Sequence, residues 1–153
     1  MPVSRALQRL LRVLELEEEQ CQAALETATA EFRRLERAFE AAGAQERGGR
    51  RLIAASVLRD AVEDRLAGIE ETCIALRSRQ VLAPRIANAE ADVADLREEY
   101  LSKRVERRQA ETLVEEAQKQ AELENNRRGQ MSLDEWYLNR RPAGGPPGSS
   151  SKE

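Results

Sequence analysis

The sequence predicts an all-α fold: an extended antiparallel two-helix coiled-coil hairpin with a short C-terminal helical hook and a disordered tail. Three observations lead there. Charged residues make up 35% of the 153 and aromatics only 3%, a composition typical of long helices and too poor in large apolar side chains to fill a thick core. Apolar residues recur in alternating steps of four and three from Leu7 to Ala42, the 3.5-residue spacing that keeps a narrow stripe facing a partner helix. A glycine-rich stretch after that stripe is the strongest reversal signal within the chain.

The first arm is expected over residues 1–43. Its stripe holds Leu7, Leu11, Leu14, Glu18, Cys21, Leu25, Ala28, Phe32, Leu35, Phe39 and Ala42, with Glu18 the one polar member. At about 1.5 Å per residue the arm is roughly 60 Å long. The turn is expected over 44–51. Gly43 suits a left-handed helix cap, and "GAQERGGRR" adds Gly48 and Gly49.

The second arm is expected over 52–124. Leu58, Val62, Leu66, Ile69, Cys73 and Leu76 renew the stripe, and Pro84 follows. Proline lacks a backbone donor and clashes with the preceding turn, so a kink is expected there. Beyond it come Ile86, Ala89, Val93, Leu96 and Tyr100. A charged stretch follows, and then a thinner stripe of Ala110, Leu113, Val114, Ala117 and Ala121. The coiled-coil core is thus expected to comprise Leu7, Leu11, Leu14, Cys21, Leu25, Phe32, Leu35 and Phe39 on the first arm. On the second it comprises Leu58, Leu66, Ile69, Cys73 and Leu76.

The hook is expected over 125–141. Gly129 breaks the second arm, and Ser132 with Glu135 has the spacing of a capping box, so "SLDEWYLNRR" reads as a fresh short helix. Pro142 ends it. "PAGGPPGSSSKE", 142–153, is low-complexity and expected to be disordered.

Composition also narrows function. The chain has no histidine, which removes the commonest general base and zinc ligand. Gly48 and Gly49 precede Arg50 and Arg51, not the Lys-Ser/Thr of a phosphate loop. No catalytic, cofactor-binding or metal-binding residue is expected, and the chain is read as no enzyme. Cys21 and Cys73 lie on the apolar stripes and read as small buried hydrophobes. The net charge of -3, with acids interleaved among the arginines, argues against a nucleic-acid binder, which gains affinity from a basic excess. There is no apolar run long enough to cross a membrane. The acidic continuation of the N-terminal stretch does not suit a signal peptide, so a cytoplasmic location is expected. Trp136 is the sole tryptophan and sits near the chain end, where it has little core to join. Tryptophan and arginine dominate interface energetics, so it reads as a partner contact.

The leucine- and glutamate-rich opening "LQRLLRVLELEEEQ" and the closing Asn126, Arg127, Gln130, Leu133, Asp134, Glu135 and Trp136 resemble the FliJ family of flagellar type III export proteins. The resemblance spans residues 3–141 and rests chiefly on the closing motif. The equivalent stalk protein of virulence type III secretion systems shares the architecture, and the sequence leaves the two open. The resemblance implies a two-helix stalk like the shaft of rotary ATP synthases. Such a stalk inserts in the hexameric export ATPase, stimulates it, and contacts the cytoplasmic domain of the export gate and export chaperones. It would be held at the inner face of the cell membrane through these partners. Arg127, Gln130, Leu133, Asp134, Glu135 and Trp136 would be its partner-binding residues. No metal or nucleic acid is implied, and the isolated chain is expected to be a monomer. The alternative from another class is a regulatory or nucleic-acid-associated coiled-coil dimer.

Overall fold

The computed structural model describes residues 5–140, and these are helical except at 60–61. The first four residues, Arg141 at the end of the expected hook, and the expected disordered tail 142–153 lie outside the described residues. Two long helices, α1 (Arg5–Arg59) and α2 (Val62–Arg140), pack against each other as a helical hairpin. The chain divides into two compact units, one of Arg12–Arg108 and one of Met1–Leu11 with Gln109–Glu153.

The reversal lies at Asp60–Ala61, not at 44–51. Asp60 takes a left-handed conformation with φ 52°, which aspartate tolerates better than most residues. The Ala61 N–H donates to the Ser56 carbonyl at 3.1 Å, closing α1. The Arg65 N–H donates to the Ala61 carbonyl at 3.2 Å, opening α2. Arg59 sits in the last turn of α1, and Glu63 and Asp64 in the first turn of α2. Each charge opposes the helix-dipole end beside it.

The expected turn instead runs as unbroken helix, and Gly49 within it serves packing. A Cβ on Gly49 would lie 2.5 Å from Thr72 Oγ1 and 2.8 Å from the Gly68 carbonyl oxygen. A Cβ on Gly68 would lie 2.7 Å from the Gly49 carbonyl oxygen and 2.8 Å from Ile53 Cγ1. The two backbones touch where each lacks a side chain. A helical glycine costs about 1 kcal/mol relative to alanine, and the close contact it permits offsets that.

The α1 seam follows the expected stripe and extends past it. Positions 7, 11, 14, 18, 21, 25, 28, 32, 35, 39, 42, 46, 49, 53 and 56 are all buried or half-buried. Leu35 is the most enclosed leucine, at 3% exposure, and its burial contributes about 2 kcal/mol. The α2 seam departs from expectation. It runs through 61, 65, 68, 72, 75, 79, 82, 86, 89, 93, 96 and 100. The expected core residues Leu58, Leu66, Ile69, Cys73 and Leu76 are exposed instead. Within this seam Gly68 admits the close backbone approach at Gly49, and Ala61 and Ala75 are the other small members. The larger apolar residues beside them are left outside.

α2 neither ends nor restarts at Pro84, which lies inside the helix. Pro84 and Gln80, whose carbonyl it deprives of a donor, are both exposed, so water can satisfy that carbonyl. Nor is there a separate hook. α2 continues through Gly129 and Ser132 to Arg140. A break would forfeit several backbone hydrogen bonds for one cap of about 1 kcal/mol, with no packing surface there to repay it.

Candidate interaction surfaces

Within Arg12–Arg108, ionic ties join the helices across the seam. Glu46, only 7% exposed, accepts from Arg79 at 2.8 Å and pairs with Arg50 at 2.6 Å. The Arg79 guanidinium also lies 4.6 Å from the Phe39 ring centroid, a cation–π contact that shields the pair further. Lys103 reaches Glu17 at 3.0 Å and Glu106 at 3.2 Å, and Arg107 donates to Glu18. Hydrogen bonds that it donates to the Glu17 and Glu106 carboxylates hold the Lys103 ammonium above its ordinary pKa. Glu18, the polar exception in the apolar stripe, is therefore a seam residue with a charged partner.

Neither cysteine forms a disulfide. Burial, then the neighbouring Glu99 carboxylate, push the Cys21 thiol up, so it is a packing residue and a poor nucleophile. Cys73 lies exposed on α2. Among the described residues no group of three or more His, Cys, Asp or Glu side chains could hold a metal ion. No described helix is long and apolar enough to cross a membrane.

The C-terminal end of α2 is a different kind of surface. Ala121 is the last described residue of α2 that is half-buried, and every residue from 122 to 140 is exposed. At 100° per residue, Gln130, Leu133, Trp136, Tyr137 and Arg140 share one side of the helix. Asp134 and Arg127 flank it, and Glu135 points away. The six residues expected to bind a partner therefore do not form one cluster. Leu133 stands at the centre of the face and Trp136 at one edge, 49% exposed. The Arg140 guanidinium lies 4.5 Å from the Trp136 ring centroid. Tyr137 meets that ring edge-on with centroids 5.2 Å apart at 85°. Sequence reasoning named Leu133 and Trp136 but missed Tyr137 and Arg140, each four residues beyond one of them, a spacing that was the available signal.

A second exposed apolar surface lies on α2 near the turn. It carries Val62, Leu66, Ile69, Cys73 and Leu76, all exposed.

Comparison with protein-family models, with curated proteins and with solved structures finds no match for the chain.

Proposed function

We propose that the chain is a non-enzymatic stalk component of a type III protein export apparatus. In this reading it inserts in the export ATPase ring, stimulates the ring, and contacts the export gate and chaperones. One observation carries the reading. Within Arg12–Arg108 two helices meet in a seam of 3.5-residue spacing, and the exposed stretch 122–140 of α2 bears Trp136, Leu133, Tyr137 and Arg140 on one face. A paired shaft and an aromatic contact surface are the two parts such a component requires.

The shaft is read as an antiparallel coiled coil. Glu17, Glu18 and Glu46 on α1 pair with Lys103, Arg107 and Arg79 on α2, so later residues of the first helix meet earlier residues of the second. The closing motif discussed above supplies the link to export: Trp136 and Leu133 are placed to enter a pocket on a partner, with Arg140 and Gln130 at its rim. Charged side chains along the shaft then make changing contacts with a six-fold ring and favour some subunit interfaces over others. Attachment at the inner face of the membrane comes through these partners.

The test is a titration of the purified chain into a cognate export ATPase. The expected result is a higher hydrolysis rate and more hexamer, with no hydrolysis by the chain alone. No change in either rate or assembly removes the stalk reading.

A further inference from the structure

We propose that Val62–Leu76 of α2 is a second coiled-coil seam, and that a second copy of this chain covers it in an antiparallel, two-fold arrangement. Val62 is 58% exposed, Leu66 62%, Ile69 45% and Leu76 40%, and Cys73 is exposed among them. Single exposed aliphatic residues are ordinary on a protein surface, but these are not scattered. Their steps are four, three, four and three. Each stands one residue beyond a seam position, after Ala61, Arg65, Gly68, Thr72 and Ala75 respectively. The two stripes therefore run side by side along α2, about 100° apart around its axis. Both keep the spacing that lets a straight partner helix stay in contact over its length. A pocket or a sheet edge does not call for that periodicity, whereas another helix does.

The sequence of the stripe fits itself. When two such helices run in opposite directions about an axis midway between Ile69 and Cys73, Leu66 meets Leu76 of the second copy. Ile69 meets Cys73 of the second copy, large against small. Both layers occur twice. The flanking row on the outer side is Glu63, Glu70 and Arg77. The same axis brings Glu63 of each copy to Arg77 of the other, two attractions, and sets Glu70 against Glu70 at the centre, one repulsion. Opposite charges beside a seam choose partner and direction. The arrangement is isologous, so it closes at two chains. It departs from the monomer that the resemblance implies for the isolated chain.

The proposal does not rest on the export reading, and its test uses the full chain alone. Sedimentation equilibrium of the wild-type chain under reducing conditions is expected to give a concentration-dependent dimer. Leu66→Glu should weaken the dimer by about tenfold or more and leave helicity unchanged. Glu70→Gln, which removes the central repulsion, should tighten it, and this arm stands even if Leu66→Glu folds poorly. Under oxidation Ile69→Cys should give a covalent dimer through the native Cys73 of the second copy. Adding Cys73→Ser should abolish that crosslink. A wild-type chain that stays monomeric throughout the concentration series overturns the proposal. So does a dimer unaffected by both Leu66→Glu and Glu70→Gln, since its interface then lies elsewhere. Facile Cys73–Cys73 crosslinking of the wild type would overturn the antiparallel register.

Discussion

Gly49 and Gly48 are neighbours in sequence with opposite roles. A Cβ at Gly49 collides with Thr72 and with the Gly68 backbone, while at Gly48 nothing lies within 4 Å. Gly49→Ala is therefore expected to lower stability by about 1–3 kcal/mol through overpacking, despite the gain in helix propensity. Gly48→Ala should raise it by about 0.5–1 kcal/mol. Denaturant melts followed by circular dichroism would check both, and the opposite signs distinguish a packing glycine from an exposed helical one. Glu46 makes a related case. Its side chain is only 9% exposed and holds both Arg50 and Arg79. Glu46→Ala leaves the Arg79 guanidinium without its carboxylate at the seam, a loss of about 1–3 kcal/mol by the same melts. The sequence offered no way to see either role. Glycine pairs and a lone glutamate look the same whether they face solvent, a turn or a neighbouring helix; only the partner helix tells them apart.

The helices were legible in unequal measure. The α1 stripe was readable from Leu7 to Ala42 because its residues are mostly large and apolar and their neighbours charged. It became unreadable where the seam turned to Glu46, Gly49 and Ser56. The α2 seam was misread because its own members include Arg65, Gly68, Thr72 and Arg79, while a more hydrophobic stripe lies one residue along. The turn was signalled not by glycine but by Arg59, Asp60, Glu63 and Asp64, a run of charges ordered to suit two helix ends. The tie between elements at Lys103 has a pH signature. Its folded pKa is raised by Glu17 and Glu106, so its contribution is fully present below the ordinary lysine range. The contribution is lost as pH rises through the elevated folded value. Wild type is expected to lose helix–helix stability over that alkaline interval, and Lys103→Ala to show a flatter profile there. Thermal melts across the interval would reveal the difference.

At the scale of the molecule, stability is expected to rest on the seam and, on the proposed function, recognition on the C-terminal face. No residue from 122 to 140 is buried, so a chain ending at Ala121 is expected to melt within a few degrees of the full chain by circular dichroism. Trp136→Ala should likewise leave melting unchanged while weakening binding to the export ATPase or gate, measured by titration calorimetry. If the substitution lowers the melting temperature and leaves binding intact, the aromatic face belongs to the fold. The general position of this face was legible because one tryptophan in so plain a chain stands out. Its continuity with α2 was not, because Gly129 and the Ser132–Glu135 spacing imitate a helix boundary. A glycine with open space around it costs a helix too little to end it.

The cross-links between α1 and α2 within Arg12–Arg108 have a mechanical meaning. Glu17 with Lys103 lies toward one end of this unit, and Gly49 with Gly68 toward the other. When two rods lie together unfastened, bending makes them slide past one another and each flexes as a thin rod. When they are pinned at separated points, sliding is blocked, and bending must stretch one rod while compressing the other. The hydrogen-bonded helix resists both along its axis, so this unit bends as a single thicker beam. Residues 122–140 are exposed throughout, with no described residue of α1 covering them, and a stretch so placed has the stiffness of one helix.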